Sequence, residues 1–163
     1  MNTKRTILSM ALSLILIVSP VLPWAELTVY AQNIQTLTIE DKNFYDGLKK
    51  CLAPNSVNNY GAMIANDDEN QTITLDMEKV GYFQVRRVDM TVENSRSVLE
   101  TLLAHCTELE IIGMENCNLS EFDFSPLNNK DRLTGLHLVS CQMKEIPDLT
   151  LANLETICLS QND

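Results

Sequence analysis

His137 and Cys158 come nearest, by type and placement, to a reactive pair. Both occupy the fifth place of a nine-residue pattern that recurs along the chain. Strands built on that pattern would set an imidazole beside a thiol. Such a pair can generate a reactive thiolate or supply half of a metal site. Two ligands do not hold zinc, however, and no acid or oxyanion donor is indicated beside them. An ordinary pair of partner-contacting side chains is the plainer reading, with a thiol-dependent enzyme or metal-binding domain using Cys158 and His137 as the alternative. His105 and Cys106 are also adjacent, but His105 near a helix end simply suits the helix dipole.

The remaining chemistry is thinner. Five cysteines, Cys51, Cys106, Cys117, Cys141 and Cys158, give an odd count with no C-x-x-C spacing, so at least one is unpaired and no zinc pattern forms. Cys117 and Cys141 share the ninth place of the pattern and should stack about 5 Å apart on neighbouring strands. That spacing admits a disulfide, while two buried thiols serving as ladder residues is the favoured reading. The run Asn66-Asp-Asp68-Glu-Asn70-Gln-Thr-Ile73 imitates a calcium loop. Gln71 stands where the loop needs glycine and Met77 where it needs glutamate, which leaves a solvated acidic turn. Asn70-Gln-Thr72 and Asn118-Leu-Ser120 fit the glycosylation sequon, which matters only in a eukaryotic secretory pathway. There is no Gly-rich phosphate loop, nucleophile elbow or His-rich metal helix. The expectation is therefore a non-enzymatic protein with no metal and no cofactor.

The elements that would position these residues follow from three aligned segments. They are Leu109-Glu-Ile-Ile-Gly-Met-Glu-Asn-Cys117, Leu133-Thr-Gly-Leu-His-Leu-Val-Ser-Cys141 and Leu154-Glu-Thr-Ile-Cys-Leu-Ser-Gln-Asn162. Each reads L-x-x-L-x-L-x-x-N/C, at offsets of 24 and 21 residues. Leu119 and Met143 take the next apolar place. The fourth and sixth places alternate with polar or small neighbours, as a half-buried strand requires. The ninth needs a small side chain that turns inward and satisfies backbone groups. Val85-Arg-Arg-Val88-Asp-Met90 reads as a degenerate first copy, 24 residues before Leu109, with Glu93 at its ninth place. Ser97-Val-Leu-Glu100 is a capping-box pattern opening a helix over 98–105. Residues 120–132 and 144–153 are looser returns, broken by Pro126 and Pro147.

With this template the chain resembles a leucine-rich-repeat protein. Upstream, Ile34 to Ile39 alternates like a strand, and Asp41 caps a helix with Phe44, Leu48, Cys51 and Leu52 on one face. Ala53-Pro54 ends that helix. Asp41 to Leu48, read as Asp-x-Asn-Phe-Tyr-x-x-Leu, is similar to the N-terminal cap of secreted bacterial surface proteins of the internalin-like kind. The resemblance implies an α/β leucine-rich-repeat solenoid with parallel β-strands on the concave face and an N-terminal α/β cap. It also implies a bacterial, secreted or cell-surface interaction module that binds a protein or glycan partner, such as a host or cell-surface protein.

Composition is consistent with a folded chain: 163 residues, 45 % apolar and 21 % charged, with a formal charge of −10. An acidic balance argues against nucleic acid and against anionic lipid as partners. Lys4 and Arg5, the apolar run from Ile7 to Val18, and Val29-Tyr30-Ala31 read as a signal peptide cleaved after Ala31. Pro20 and Pro23 interrupt the apolar run and oppose a membrane anchor. The expected organisation is 1–31 signal peptide, 32–80 N-terminal cap and 81–163 repeats, with no membrane association after cleavage. The pattern ends at Asn162 without a return segment, which predicts a fragment of a longer array with an open C-terminal edge.

Strand alternation then assigns the concave, partner-binding face. It consists of Glu110, Ile111, Gly113, Glu115 and Asn116, then Thr134, Gly135, His137, Val139 and Ser140, then Glu155, Thr156, Cys158, Ser160 and Gln161. Three carboxylates and no Lys or Arg predict a partner with basic or hydrogen-bond-donating groups. Gly113 and Gly135 predict a shallow trough beside His137. The core should consist of Leu109, Ile112, Met114, Leu119, Leu133, Leu136, Leu138, Leu154, Ile157 and Leu159, with Cys117 and Cys141 beneath the strands.

Overall fold

The computed structural model describes residues 33–145 and 153–162. The expected signal peptide lies outside those residues, as does most of the 144–153 return. The N-terminal part folds as β1 (Ile34–Thr38), α1 (Lys42–Cys51), β2 (Met63–Asp67) and β3 (Thr72–Asp76). The three strands form an antiparallel sheet in the order β1-β3-β2. Leu37 lies opposite Ile73 and both are buried with Leu75. Asp41 caps α1 by accepting the Phe44 N–H at 3.0 Å. That contact satisfies a donor the helix cannot pair internally. Phe44, Tyr45 and Leu48 form the buried face of α1, and Lys49 and Lys50 complement its last turn.

The C-terminal part is a parallel sheet, β4 (Tyr82–Arg86), β5 (Ile111–Glu115), β6 (Gly135–Val139) and β7 (Thr156–Cys158), in chain order. The nine-residue pattern sets the strand register: Ile112 pairs with Leu136 and Leu136 with Ile157. Phe83, Val85, Ile112, Met114, Leu136 and Leu138 are buried on one side of the sheet. They pack with Val98, Leu99, Leu102 and Leu103 of the crossover helix α2 (Glu93–His105) in one core.

The expected leucine-rich-repeat solenoid with an N-terminal α/β cap is corrected by this architecture. The described residues form one antiparallel three-stranded sheet and one parallel four-stranded sheet with only two α-helices, and no solenoid is evident among them. The crossovers explain the difference. A 13-residue helix joins β4 to β5, whereas the β5–β6 connection contains only a 3-10 turn over Ser125–Asn129. The first two crossovers are thus built differently.

The same inequality corrects the first copy of the pattern. Val85 pairs with Met114, so it occupies the sixth place and Val80 the first. The offset is 29 residues, not 24, because the α2 crossover is five residues longer than the next one. Helix α2 also begins earlier than the capping box implies. Val92 is its N-cap without a side-chain bond, and Ser97 lies inside the helix, where its carbonyl accepts the Thr101 hydroxyl at 2.7 Å.

Two asparagines close the ends of the parallel sheet. Asn59, fully buried, donates to the carbonyls of Cys51 (2.8 Å) and Tyr82 (2.7 Å). It accepts from the N–H groups of Gly81 and Tyr82, both at 3.0 Å. Asn162 donates to the carbonyls of Leu138 (2.7 Å) and Leu159 (2.9 Å) and accepts from the Cys141 N–H at 2.8 Å. One strand earlier, Cys141 Sγ stands 3.4 Å from the Met114 carbonyl, so the thiol takes the place of that carboxamide. Cys117 and Cys141 are both free thiols. Their mutual hydrogen bond and burial push the Cys141 thiol up. Of the expected core, Leu109, Ile112, Met114, Leu119, Leu133, Leu136 and Leu138 are buried. Leu154 and Leu159 are only partly so, and Ile157 stays 54 % exposed on the edge strand.

Candidate interaction face

Sheet pleating sends alternate side chains to opposite faces. The face away from the core carries three rows. Tyr82, Ile111, Gly135 and Thr156 form the first, and Gln84, Gly113, His137 and Cys158 the second. Arg86, Glu115 and Val139 form the third. Sequence reasoning missed Tyr82, Gln84 and Arg86, because the shifted first copy placed other residues there. The clue was the long α2 crossover, which makes a fixed 24-residue offset unsafe.

The remaining assigned positions do not lie in the strands. Glu110, Thr134 and Glu155 precede them, while Asn116, Ser140, Ser160 and Gln161 follow them. Arg87, Asn116, Ser140 and Gln161 adopt φ values of 58°, 54°, 53° and 60°. The eighth place is thus a left-handed turn at every strand end, a conformation that asparagine tolerates and most residues resist.

The expected trough is filled. A Cβ on Gly113 would come within 3.0 Å of the Gln84 side chain, and one on Gly135 within 3.2 Å of Ile111. Both glycines give their space to neighbouring side chains. The acidic character is also reduced. Glu115 binds Arg86 at 2.9 Å, and Glu110 lies 3.7 Å from Arg132.

His137 and Cys158 are register partners, with His137 exposed. The thiol, however, contacts the Ser160 hydroxyl at 3.5 Å, which pulls its pKa down. Among the described residues no three His, Cys, Asp or Glu side chains form a metal-binding group. The imitation calcium loop is the β2–β3 turn. Asp67 accepts the Glu69 and Asn70 N–H groups, and Asp68 binds Tyr45 and Lys49. Both aspartates are thus engaged in contacts within the fold.

The other thiols have distinct surroundings. Burial raises half-buried Cys51, and pushes Cys106 up to about 12. Iodoacetamide at neutral pH should therefore label Cys158 first and Cys51 slowly, with Cys106, Cys117 and Cys141 reacting only on unfolding. Peptide mass mapping against time checks the order. Early labelling at Cys117 or Cys141 would contradict the packing.

A cleft of about 750 Å³ flanks the open face where α1 runs beside β4. Its size lies within the roughly 300–1,000 Å³ of small-ligand sites. Gly47 permits the close approach of helix to strand, since a Cβ there would meet Val85 at 3.2 Å. Asp46 and Lys50 of α1, Asn55, Val57 and Asn58 of the following segment, and Gln84, Arg86, Arg87 and Glu115 line it. No family model, curated protein or solved structure matches this chain.

Proposed function

We propose that the chain is an exported interaction module that binds a protein or glycan partner on the open face of its parallel sheet. The observation that carries this reading is the contrast between the two faces. One is covered by the core, while the other presents Ile111, His137, Thr156 and Cys158 without an overlying element among the described residues. These side chains stand on a rigid frame of backbone hydrogen bonds, which limits the ordering cost on association. Export rests on the basic start, apolar run and small residues before Ala31.

The test is a labelled chain applied to glycan and peptide arrays, with Ile111→Lys and His137→Glu as face variants and Glu100→Lys on α2 as control. Saturable binding that falls about tenfold in the face variants alone is the expected result, the loss of one well-packed contact. Binding that ignores the face variants would contradict the reading. A turnover lost in Cys158→Ser would instead favour the thiol-dependent alternative.

A further inference from the structure

We infer that the cleft between α1 and β4 is an anion-accepting subsite that takes an acidic peptide segment carrying an apolar side chain. The inference rests on the reading that the open face binds a partner, and it names the chemistry of that partner. It differs from the expectation of a partner with basic or hydrogen-bond-donating groups, which was drawn from the carboxylates Glu110, Glu115 and Glu155.

The chain is strongly acidic, at −10 overall, yet this cleft gathers Lys50, Arg86 and Arg87. Arg86 is neutralised by Glu115, and Asp46 by Lys42 at 3.0 Å. Lys50 and Arg87 are both exposed and form no ion pair with any described carboxylate. Two cations are thus left to face solvent in the same cleft. Arg87 is fixed there, since its N–H donates to the Glu115 carbonyl at 2.9 Å. Its own carbonyl accepts Asn43 Nδ2 at 3.1 Å. These bonds hold it at φ 58°, where the other strand ends carry uncharged Asn, Ser or Gln. Around the end of α1 the carbonyls of Leu48, Cys51 and Ala53 accept from Leu52, Asn59 and Ser56.

A peptide fits the rest of the lining better than a polysaccharide. Asn55, Asn58 and Asn116 offer carboxamides that can pair with a peptide backbone. Val57 in the lining is 93 % exposed, and Tyr60 three residues on is 82 % exposed. Val57 gives the apolar side chain of such a peptide an aliphatic surface to pack on.

The experiment measures fluorescence anisotropy of an end-labelled peptide alternating glutamate and leucine. Its lysine–leucine counterpart and a sulfated oligosaccharide serve as comparison probes. The glutamate peptide should bind saturably and weaken with added salt. Its affinity should fall about tenfold in Lys50→Glu/Arg87→Glu, the effect of losing two surface charge pairs. Lys144→Glu, away from the cleft lining, should leave it unchanged. Both substituted side chains are exposed, and circular dichroism verifies that the variant is folded. Preference for the lysine peptide or for the oligosaccharide would overturn the inference. So would absence of saturable binding by the glutamate peptide. Peptide binding that is lost in His137→Glu but retained in the charge-reversed variant would also overturn it, while leaving the open-face reading intact.

Discussion

Leu136→Asp is expected to abolish the cooperative thermal transition of this protein. Leu136 is fully buried in β6, paired on one side with Ile112 and on the other with Ile157. An aspartate there loses the burial of a leucine, about 2–5 kcal/mol for truncation alone. It must also bury a charge or bind a proton to avoid doing so. Together these match the roughly 5–15 kcal/mol by which small domains are stable. Near-ultraviolet dichroism and a thermal scan check the result. A native-like spectrum with an unchanged midpoint would show that the sheet side assigned to the core is wrong.

Asn59→Leu should be nearly as damaging, although it replaces a polar residue by an apolar one of similar size. The Asn59 carboxamide serves two N–H groups and two carbonyls between the end of α1 and the start of β4. With no solvent access at Asn59, removing it leaves several backbone groups unsatisfied, at about 1–3 kcal/mol each. A loss on the order of 3–5 kcal/mol is expected, since relaxation and water recover part of the sum. Asn59→Asp distinguishes this cause from packing. Its carboxylate can still accept from Gly81 and Tyr82 but faces two carbonyls it can no longer satisfy. That variant should be destabilised at neutral pH and partly recover in acid, where the protonated carboxyl donates one bond. Denaturant unfolding at two pH values measures both effects. Equal stability of Asn59→Leu and the parent would refute the role of this side chain.

Much of the parallel sheet was legible from local rules. The alternation in Leu109–Cys117 and Leu133–Cys141 determined which residues are buried, because strand period and burial are coupled. In Leu154–Asn162, by contrast, the expected core residues stay partly or largely exposed. Asp41 as a helix cap and Phe44 and Leu48 on the buried face of α1 were likewise local matters. So was the neighbouring placement of His137 and Cys158, which follows from register alone.

What only the tertiary structure decided depends on distances the chain does not encode locally. The crossover through α2 moved the first strand five residues upstream, so Tyr82, Gln84 and Arg86 joined the open face. Gln84 and Ile111 filled the space beside Gly113 and Gly135 because neighbouring strands place them there. Arg86 reached Glu115, and Arg132 reached the Glu110 carboxylate, turning an apparently acidic face into a largely paired one. The cleft beside α1 could not be read at all, since it is formed by residues from 43 to 116 brought together when the helix packs across β4. Local periodicity selects the buried side of each strand, whereas packing between distant segments decides which surface charges remain unpaired and what they face.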